Sequence, residues 1–332
     1  MKKIVALLLM LLMPICASAG DLPRIGVLVY NASDAFISDV YRSIATAAEG
    51  KAELVYRDSE NSQILQNEQV DALLKEGVDA LILNAVDRTS AVYLIRMVMP
   101  YGVPVVFNNR EPLLEDLRLY DKAFYVGNNP KESGSMSGQL IADYFRAHPE
   151  ADRHNDGVQY IMLKGEPGHQ DAELRTVYSV KAISDAGIEL HRLQEVTALW
   201  DRAIAQEKMA GLIASYGDRI DCVISNNDEM ALGAIEALKA AGLFSDGRYV
   251  PVVGVDATAA AREALAEGTL LGTVLNDADA QGTAALSLAL LLAEKGTIAG
   301  SEFERTVDQE KFIWTPSRII TRETLHDDVP PG

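Results

Sequence analysis

Arg24-Ile25-Gly26-Val27-Leu28-Val29-Tyr30 opens the segment that decides the fold. It is apolar almost without a break and runs into Asn31-Ala32-Ser33-Asp34, after which residues 36–48 space their apolar side chains at helical intervals. Residues 53–56 read as a second strand, 64–75 as a helix closed by Gly77, and 80–86 as a third strand. A continuous apolar run, rather than an alternating one, marks a strand covered on both faces, the condition of a parallel sheet flanked by helices. Strands separated by helices form right-handed crossover units.

The rhythm continues outward from this segment. Residues 90–99 read as a helix, 103–107 and 123–126 as strands, and 133–147 as a helix. It then starts again, with strands at 160–163, 188–193, 222–224, 250–255 and 270–275. Helices at 172–186, 202–215, 230–241, 259–266 and 280–294 alternate with them, and an extended tail lies near Phe312-Ile313-Trp314. So many units exceed one sheet of common size, so the fold class is α/β with two doubly wound, Rossmann-like lobes. No low-complexity linker separates them, which predicts several crossovers instead of one tether.

The chain has 332 residues, 48% apolar and 23% charged, an ordinary globular balance that excludes disorder as the main state. It carries 30 Lys and Arg against 48 Asp and Glu, a charge of −18. Such a surface repels nucleic acid phosphates and anionic lipid, so no nucleic-acid or membrane-surface partner is expected. Met1-Lys2-Lys3, an apolar run to Ile15 broken only by Pro14, and Ala17-Ser18-Ala19 make the three-part pattern of a signal peptide. Cleavage after Ala19 would leave 28 basic and 48 acidic residues, a charge of −20, and Cys222 as the one remaining thiol. Lipidation of Cys16 fits poorly with the preceding Pro14-Ile15. Cys222 lies in an apolar run and reads as buried filler.

In open parallel sheets ligands bind beyond the carboxyl ends of the strands. The residues there are Asn31 to Asp34 with Phe36; Asn84 and Asp87; Asn108 and Asn109; Lys164 to His169 with Asp171 and Arg175; Asn226, Asn227 and Asp228; Asp256; and Asn276 and Asp277. Trp200 stands at a helix entrance. Amides, carboxylates and a guanidinium each meet neighbouring hydroxyls in paired hydrogen bonds, and an aromatic face suits the C–H face of a pyranose. The set suits a neutral polyhydroxylated ligand; a phosphorylated one would call for a Gly-rich loop or several cations, and neither is present. Each residue also has a plainer reading: Asn and Asp after a strand serve as turn formers or caps. Asp34 reads as a cap for the helix near Phe36 and Asp228 for the helix at Met230. His169, Phe36 and Trp200 taken singly read as structural. The recurrence of such residues at most strand ends favours a site.

Several strings in this chain resemble the periplasmic D-galactose/D-glucose-binding proteins of ABC transporters. They are Gly165-Glu166-Pro167-Gly168-His169-Gln170-Asp171-Ala172-Glu173-Leu174-Arg175; Tyr125-Val126-Gly127 with Lys131-Glu132-Ser133-Gly134; Asn226-Asn227-Asp228-Glu229-Met230-Ala231; Gly254-Val255-Asp256-Ala257; and Gly272-Thr273-Val274-Leu275-Asn276-Asp277. The similarity runs in order from about Arg24 to Trp314. It implies the periplasmic binding protein type I fold, two lobes joined by three crossovers and closing on one hexose. The expected division is a signal peptide over 1–19, an N-terminal lobe of 20–129 plus 276–312, and a C-terminal lobe of 130–275 plus 313–332. By resemblance Asp34 accepts from the C4 hydroxyl, and Phe36 and Trp200 cover the two sugar faces. Asn109, His169, Asp171, Arg175, Asn227, Asp256 and Asn276 supply the remaining hydrogen bonds. The run Asn31-Ala32-Ser33 is less aromatic and less charged than is usual in the family.

The same resemblance implies a calcium loop at Asp152-Arg153-His154-Asn155-Asp156-Gly157-Val158-Gln159-Tyr160, completed by a distant carboxylate at Asp221. Calcium takes six to eight oxygen ligands, whereas His154 and Tyr160 stand at two ligand positions and Asp221 is shorter than the expected Glu. An ordinary Asp-Gly turn is the alternative, and the expectation is no metal and no cofactor. The expected function is a monomeric periplasmic receptor for D-galactose or D-glucose that serves an inner-membrane ABC permease, with a chemoreceptor as a second partner. The competing reading is a carbohydrate-active enzyme using Asp34 and Asp256, or His169 and Asp171, as acid and base. No nucleophile elbow, zincin motif or phosphate loop supports it. A sugar-sensing repressor of the same fold is opposed by the signal peptide and by the lack of a helix-turn-helix segment.

Overall fold

The computed structural model describes residues 22–153, 157–244, 248–301, 303 and 305–325. The expected signal peptide, its expected cleavage point after Ala19 and Cys16 lie outside these residues, as do His154, Asn155 and Asp156 of the calcium-type loop. In chain order the first elements are β1 (Arg24–Val29), α1 (Ala35–Ala48), β2 (Glu53–Asp58), α2 (Gln63–Glu76), β3 (Ala80–Leu83), α3 (Ala91–Val98), β4 (Val105–Asn108), α4 (Leu114–Leu117) and β5 (Ala123–Asn128). There follow α5 (Pro130–Ala147), β6 (Val158–Lys164), α6 (Gln170–Asp185), β7 (Leu190–Thr197), α7 (Arg202–Tyr216), β8 (Cys222–Ser225), α8 (Asp228–Ala240) and β9 (Val252–Asp256). The chain continues through α9 (Ala259–Glu267), β10 (Gly272–Asn276), α10 (Ala278–Lys295), β11 (Phe312–Thr315) and β12 (Ser317–Ile320).

The strands form two sheets wound alike, in the orders β11-β5-β4-β3-β1-β2 and β12-β10-β9-β8-β6-β7. All pairings among these strands are parallel except β10 with β12. Each sheet separates two cores, because successive side chains of a strand face opposite ways. In β6, Ile161 and Leu163 pack with Ala205, Met209 and Ile235 on one face. Tyr160 and Met162 pack with Ile141, Phe145 and Ile183 on the other. The first sheet does the same, with Val27 and Ile82 facing Ile44 and Leu288, and Leu28 and Leu81 facing Leu73 and Leu94. The alternation is hidden in the sequence because both faces bury apolar groups.

The chain crosses between lobes after β5, after β10 and between β11 and β12. Helix α10 returns to pack on α1 and on β3 and β4. Residues 312–315 belong to the first sheet through the pairing of Phe312 with Tyr125 and Thr315 with Asn128. The last crossing therefore falls at Pro316, three residues later than the expected 312/313 boundary, and Asn276 ends a strand of the second sheet. Strand β7 also runs four residues beyond its expected end. It is an edge strand, half exposed, and its polar alternation weakens the apolar signal.

Candidate functional site

Helices α1, α6 and α8 all begin at the carboxyl edges of the sheets, and the residue capping each one faces the space between the lobes. Asp34 caps α1, its Oδ1 accepting from Ile37 N at 3.0 Å. His169 caps α6 through Nδ1, which accepts from Asp171 N at 3.1 Å. Asn227 caps α8, its Oδ1 accepting from Met230 N at 3.0 Å. This corrects the reading of Asp228 as the cap: Asp228 lies within the first turn, buried, and accepts from Thr258 N at 2.9 Å and Thr273 Oγ1 at 2.7 Å. It ties α8 to β10 and to the loop after β9.

The ten residues singled out in the sequence, Asp34, Phe36, Asn109, His169, Asp171, Arg175, Trp200, Asn227, Asp256 and Asn276, all line one narrow interlobe cavity. Three of them hold left-handed backbone: Asn109 at φ 61°, Trp200 at 66° and Asp256 at 118°. Such conformations cost of order 1–3 kcal/mol each and persist where the surroundings over-determine them. Trp200 shows how. Its indole lies against Gly165, where a Cβ would stand 2.2 Å from the ring, and makes a T-shaped contact with His169 with centroids 5.0 Å apart. Asn227 Nδ2 donates to its carbonyl at 3.4 Å.

Side chains behind the cavity wall set the polar groups. Asn84 Nδ2 donates to Asn109 Oδ1 at 3.2 Å, and the Tyr125 hydroxyl donates to the Asn109 carbonyl at 2.9 Å. Arg175 pairs with Asp171 at 2.8 Å, donates to the Asn226 carbonyl at 3.0 Å and stands 3.9 Å from Asp256. Asn276 Nδ2 donates to Asp256 Oδ1 at 3.1 Å, and Gln281 Nε2 donates to Asn276 Oδ1 at 2.5 Å. Gln281, fully buried on α10, also accepts from Asn108 at 3.3 Å, so one network runs through both lobes at the hinge.

Burial decides the charge states. The His169 imidazole is held well below its usual pKa by burial and then by the nearby guanidinium of Arg110. It is neutral, and with Nδ1 accepting from the backbone its proton sits on Nε2. Burial pushes the Asp171 and Asp256 carboxyls upward while Arg175 pulls both back. Asp228 is pushed up to about 7 by burial.

Three wall residues escaped the sequence reading: Tyr30, Ile37 and Arg110. Tyr30 looked like the end of a strand, yet its hydroxyl donates to Asp34 Oδ2 at 2.5 Å. Burial raises its pKa, so it keeps the proton it donates. Arg110 immediately follows Asn109, and its guanidinium lies 3.9 Å over the Tyr30 ring. A cation directly after an amide at a strand end was the available signal. Among the described residues, Arg110 Nε, Asp171 Oδ1 and Arg175 Nε are buried polar atoms with no hydrogen-bond partner, and all three residues line the cavity.

The calcium-type loop is arranged differently. Asp221 is buried and its carboxylate is engaged by Arg153 Nε at 3.1 Å and Gln159 N at 2.9 Å, while Asp152 accepts from Gly157 N at 3.3 Å. A guanidinium thus sits on the distant carboxylate that a calcium ion would need, and the described part of this loop does not fit the ion.

The fold agrees with comparisons to known proteins. Residues 25–297 match the model of the periplasmic binding protein domain. The D-galactose/methyl-galactoside binding periplasmic protein MglB of Haemophilus influenzae is 43% identical over 309 residues, 92% of this chain and 91% of that protein. A putative rhizopine-binding protein of Rhizobium meliloti is 32% identical over 82% of this chain and 81% of its own length. Among solved structures, an ABC transporter solute binding protein from Bacillus halodurans with bound myo-inositol superposes with a TM-score of 0.78 at 30% identity, covering 93% of this chain and 98% of the other. These matches span both lobes, and the chain belongs to the periplasmic binding protein family.

Proposed function

We propose that this protein is the periplasmic receptor of an ABC importer, that it binds D-galactose or D-glucose between its lobes, and that it hands the sugar to an inner-membrane permease. The observation that carries this reading is the trio of unpartnered buried atoms on Arg110, Asp171 and Arg175 around a cavity walled by Phe36 and Trp200. Unpaired buried polar groups are costly, and a ligand rich in hydroxyls can donate to the carboxylate while accepting from both guanidinium nitrogens. Phe36 and Trp200 come from different lobes and suit the two faces of a pyranose. Asp34, held by the Tyr30 hydroxyl and the α1 amide, keeps lone pairs for the C4 hydroxyl of either epimer. Asn109, His169 Nε2, Asn227, Asp256 and Asn276 serve the rest of the rim.

Binding without turnover is part of the proposal. His169 meets the backbone amide of Asp171 and not its carboxylate, so the two do not form an acid–base pair. The protein would act in the periplasm after removal of its signal peptide, as a monomer, with a chemoreceptor as a second client of the closed form.

Calorimetric titration of the mature protein against D-galactose, D-glucose, D-ribose and myo-inositol tests the reading. The expected result is one saturable site for the two aldohexoses and recovery of unchanged sugar. Preference for the pentose or the cyclitol would reassign the ligand, and consumption of sugar would favour the enzyme.

A further inference from the structure

Two consecutive residues of the loop after β4, Arg110 and Glu111, reach across to the loop between β6 and α6 in the other lobe. Arg110 pairs with Glu166 at 2.7 Å, and Gln170 Nε2 donates to Glu111 Oε1 at 2.9 Å. Neither Glu166 nor Gln170 lines the cavity. The half of this contact in the first lobe is anchored within its own lobe. Arg110 donates to the Val86 carbonyl and lies over the Tyr30 ring, and Arg88 Nε donates to the Glu111 carbonyl at 2.6 Å. The Glu166 side chain, by contrast, is 40% exposed, and nothing but lobe closure brings it to a guanidinium that is 5% exposed.

The geometry points to an interlobe clasp, Arg110–Glu166 with Glu111–Gln170, that sets how long the closed protein retains its sugar, and whose second-lobe members, Glu166 and Gln170, take no part in recognising it. The inference rests on the sugar-binding reading above. Both bonds span a cleft bridged by chain only at the three crossovers, so any opening about those crossovers separates their partners. A sugar entering the open cleft meets cavity residues before either bond exists. The bonds therefore oppose release and leave capture alone. Because one member of the ion pair faces solvent, added salt weakens it.

Stopped-flow measurement of D-galactose association and release, read by indole fluorescence on the full mature protein, tests this with Glu166→Gln, Gln170→Ala and the double variant. The double variant should release sugar about 5-fold faster, in keeping with partly exposed polar pairs. Its association rate should stay within twofold of the parent, and its sugar-free melting temperature should not change. Salt should accelerate release from the parent more than from Glu166→Gln. Release within twofold of the parent would overturn the clasp, as would a lowered melting temperature without sugar, since the contacts would then belong to a fixed interface. A parent protein that takes up neither D-galactose nor D-glucose would instead overturn the sugar reading, and the clasp with it.

Discussion

At the scale of single residues, capping a helix leaves a carboxylate room for the binding proposed above. Asp34 spends one oxygen on Ile37 N and the other on the Tyr30 hydroxyl, and a carboxylate has about four acceptor sites. Asp34→Ala should weaken D-galactose binding on the order of 100-fold, the loss of a charged hydrogen-bond partner. It should also lower stability by about 1 kcal/mol through the lost cap. Calorimetry and thermal melts separate the two effects, and unchanged affinity would remove Asp34 from the site. Glu111 carries a second prediction. Burial, with the Asp171 charge adding to it, pushes its carboxyl up to about 7 from 4.5. A carboxyl whose folded pKa is raised contributes stability that is complete below its unfolded pKa and is lost as pH rises through the folded one. Glu111→Gln keeps an oxygen for Gln170 to donate to, so this pH term alone should disappear. At saturating D-galactose the variant should match the parent near pH 4.5 and exceed it at pH 8 by about 1–2 kcal/mol, a figure discounted for partial exposure. Denaturant titrations at the two pH values check this, and equal stabilities at pH 8 would place the Glu111 carboxyl in water.

At the scale of elements, the sequence revealed what depends on local pattern and concealed what depends on neighbours. Apolar runs ending in Asn or Asp mark the strand ends, so the positions of Asn109, Asp256 and Asn276 at the sheet edge are legible without any structure. Gln281 gave no signal, because a lone Gln within the Ala- and Leu-rich α10 looks like solvent-facing filler until Asn108 and Asn276 are seen on either side of it. Edge strand β7 outruns its apolar signal because half-exposed positions accept polar residues. Sequence spacing alone does not distinguish Asp228 from its neighbour Asn227 as the cap of α8. Gly165 sits where an element and the site meet. A side chain there would collide with the Trp200 indole. Gly165→Val should therefore displace Trp200 and abolish D-galactose binding, at a cost in stability of about 1–3 kcal/mol typical of overpacking. Calorimetry and a melt on the same sample decide whether both changes occur. The calcium-type loop belongs at this scale too. With Arg153 already on Asp221, a calcium chelator should move the melting temperature by less than 1 °C, about the shift expected when no stabilising ligand is withdrawn. A larger drop would show that the ion displaces the guanidinium.

At the scale of the whole molecule, closure is a problem of linkage between two rigid halves. Each lobe has its own pair of cores on either side of its own sheet. The crossovers carry little apolar packing and are tied by polar contacts such as Asn128 Nδ2 to Ser317 Oγ at 2.7 Å. Bending there costs little apolar burial, while the cavity residues, the network through Gln281 and the Arg110–Glu166 pair draw on both lobes at once. A ligand shifts such an equilibrium only by binding one state better than the other. A hexose touching both walls satisfies that condition, and one touching a single wall does not. The closed form, at about 310 residues once the expected signal peptide is removed, should have a radius of gyration near 19 Å by the scaling of compact chains. Small-angle scattering should therefore give a value close to this with saturating D-galactose and a larger one without it. Asp34→Ala should remain at the larger value at sugar concentrations that close the parent. A radius independent of sugar in the parent would mean that the lobes do not move, and that the free energy of binding comes from a cleft already shut.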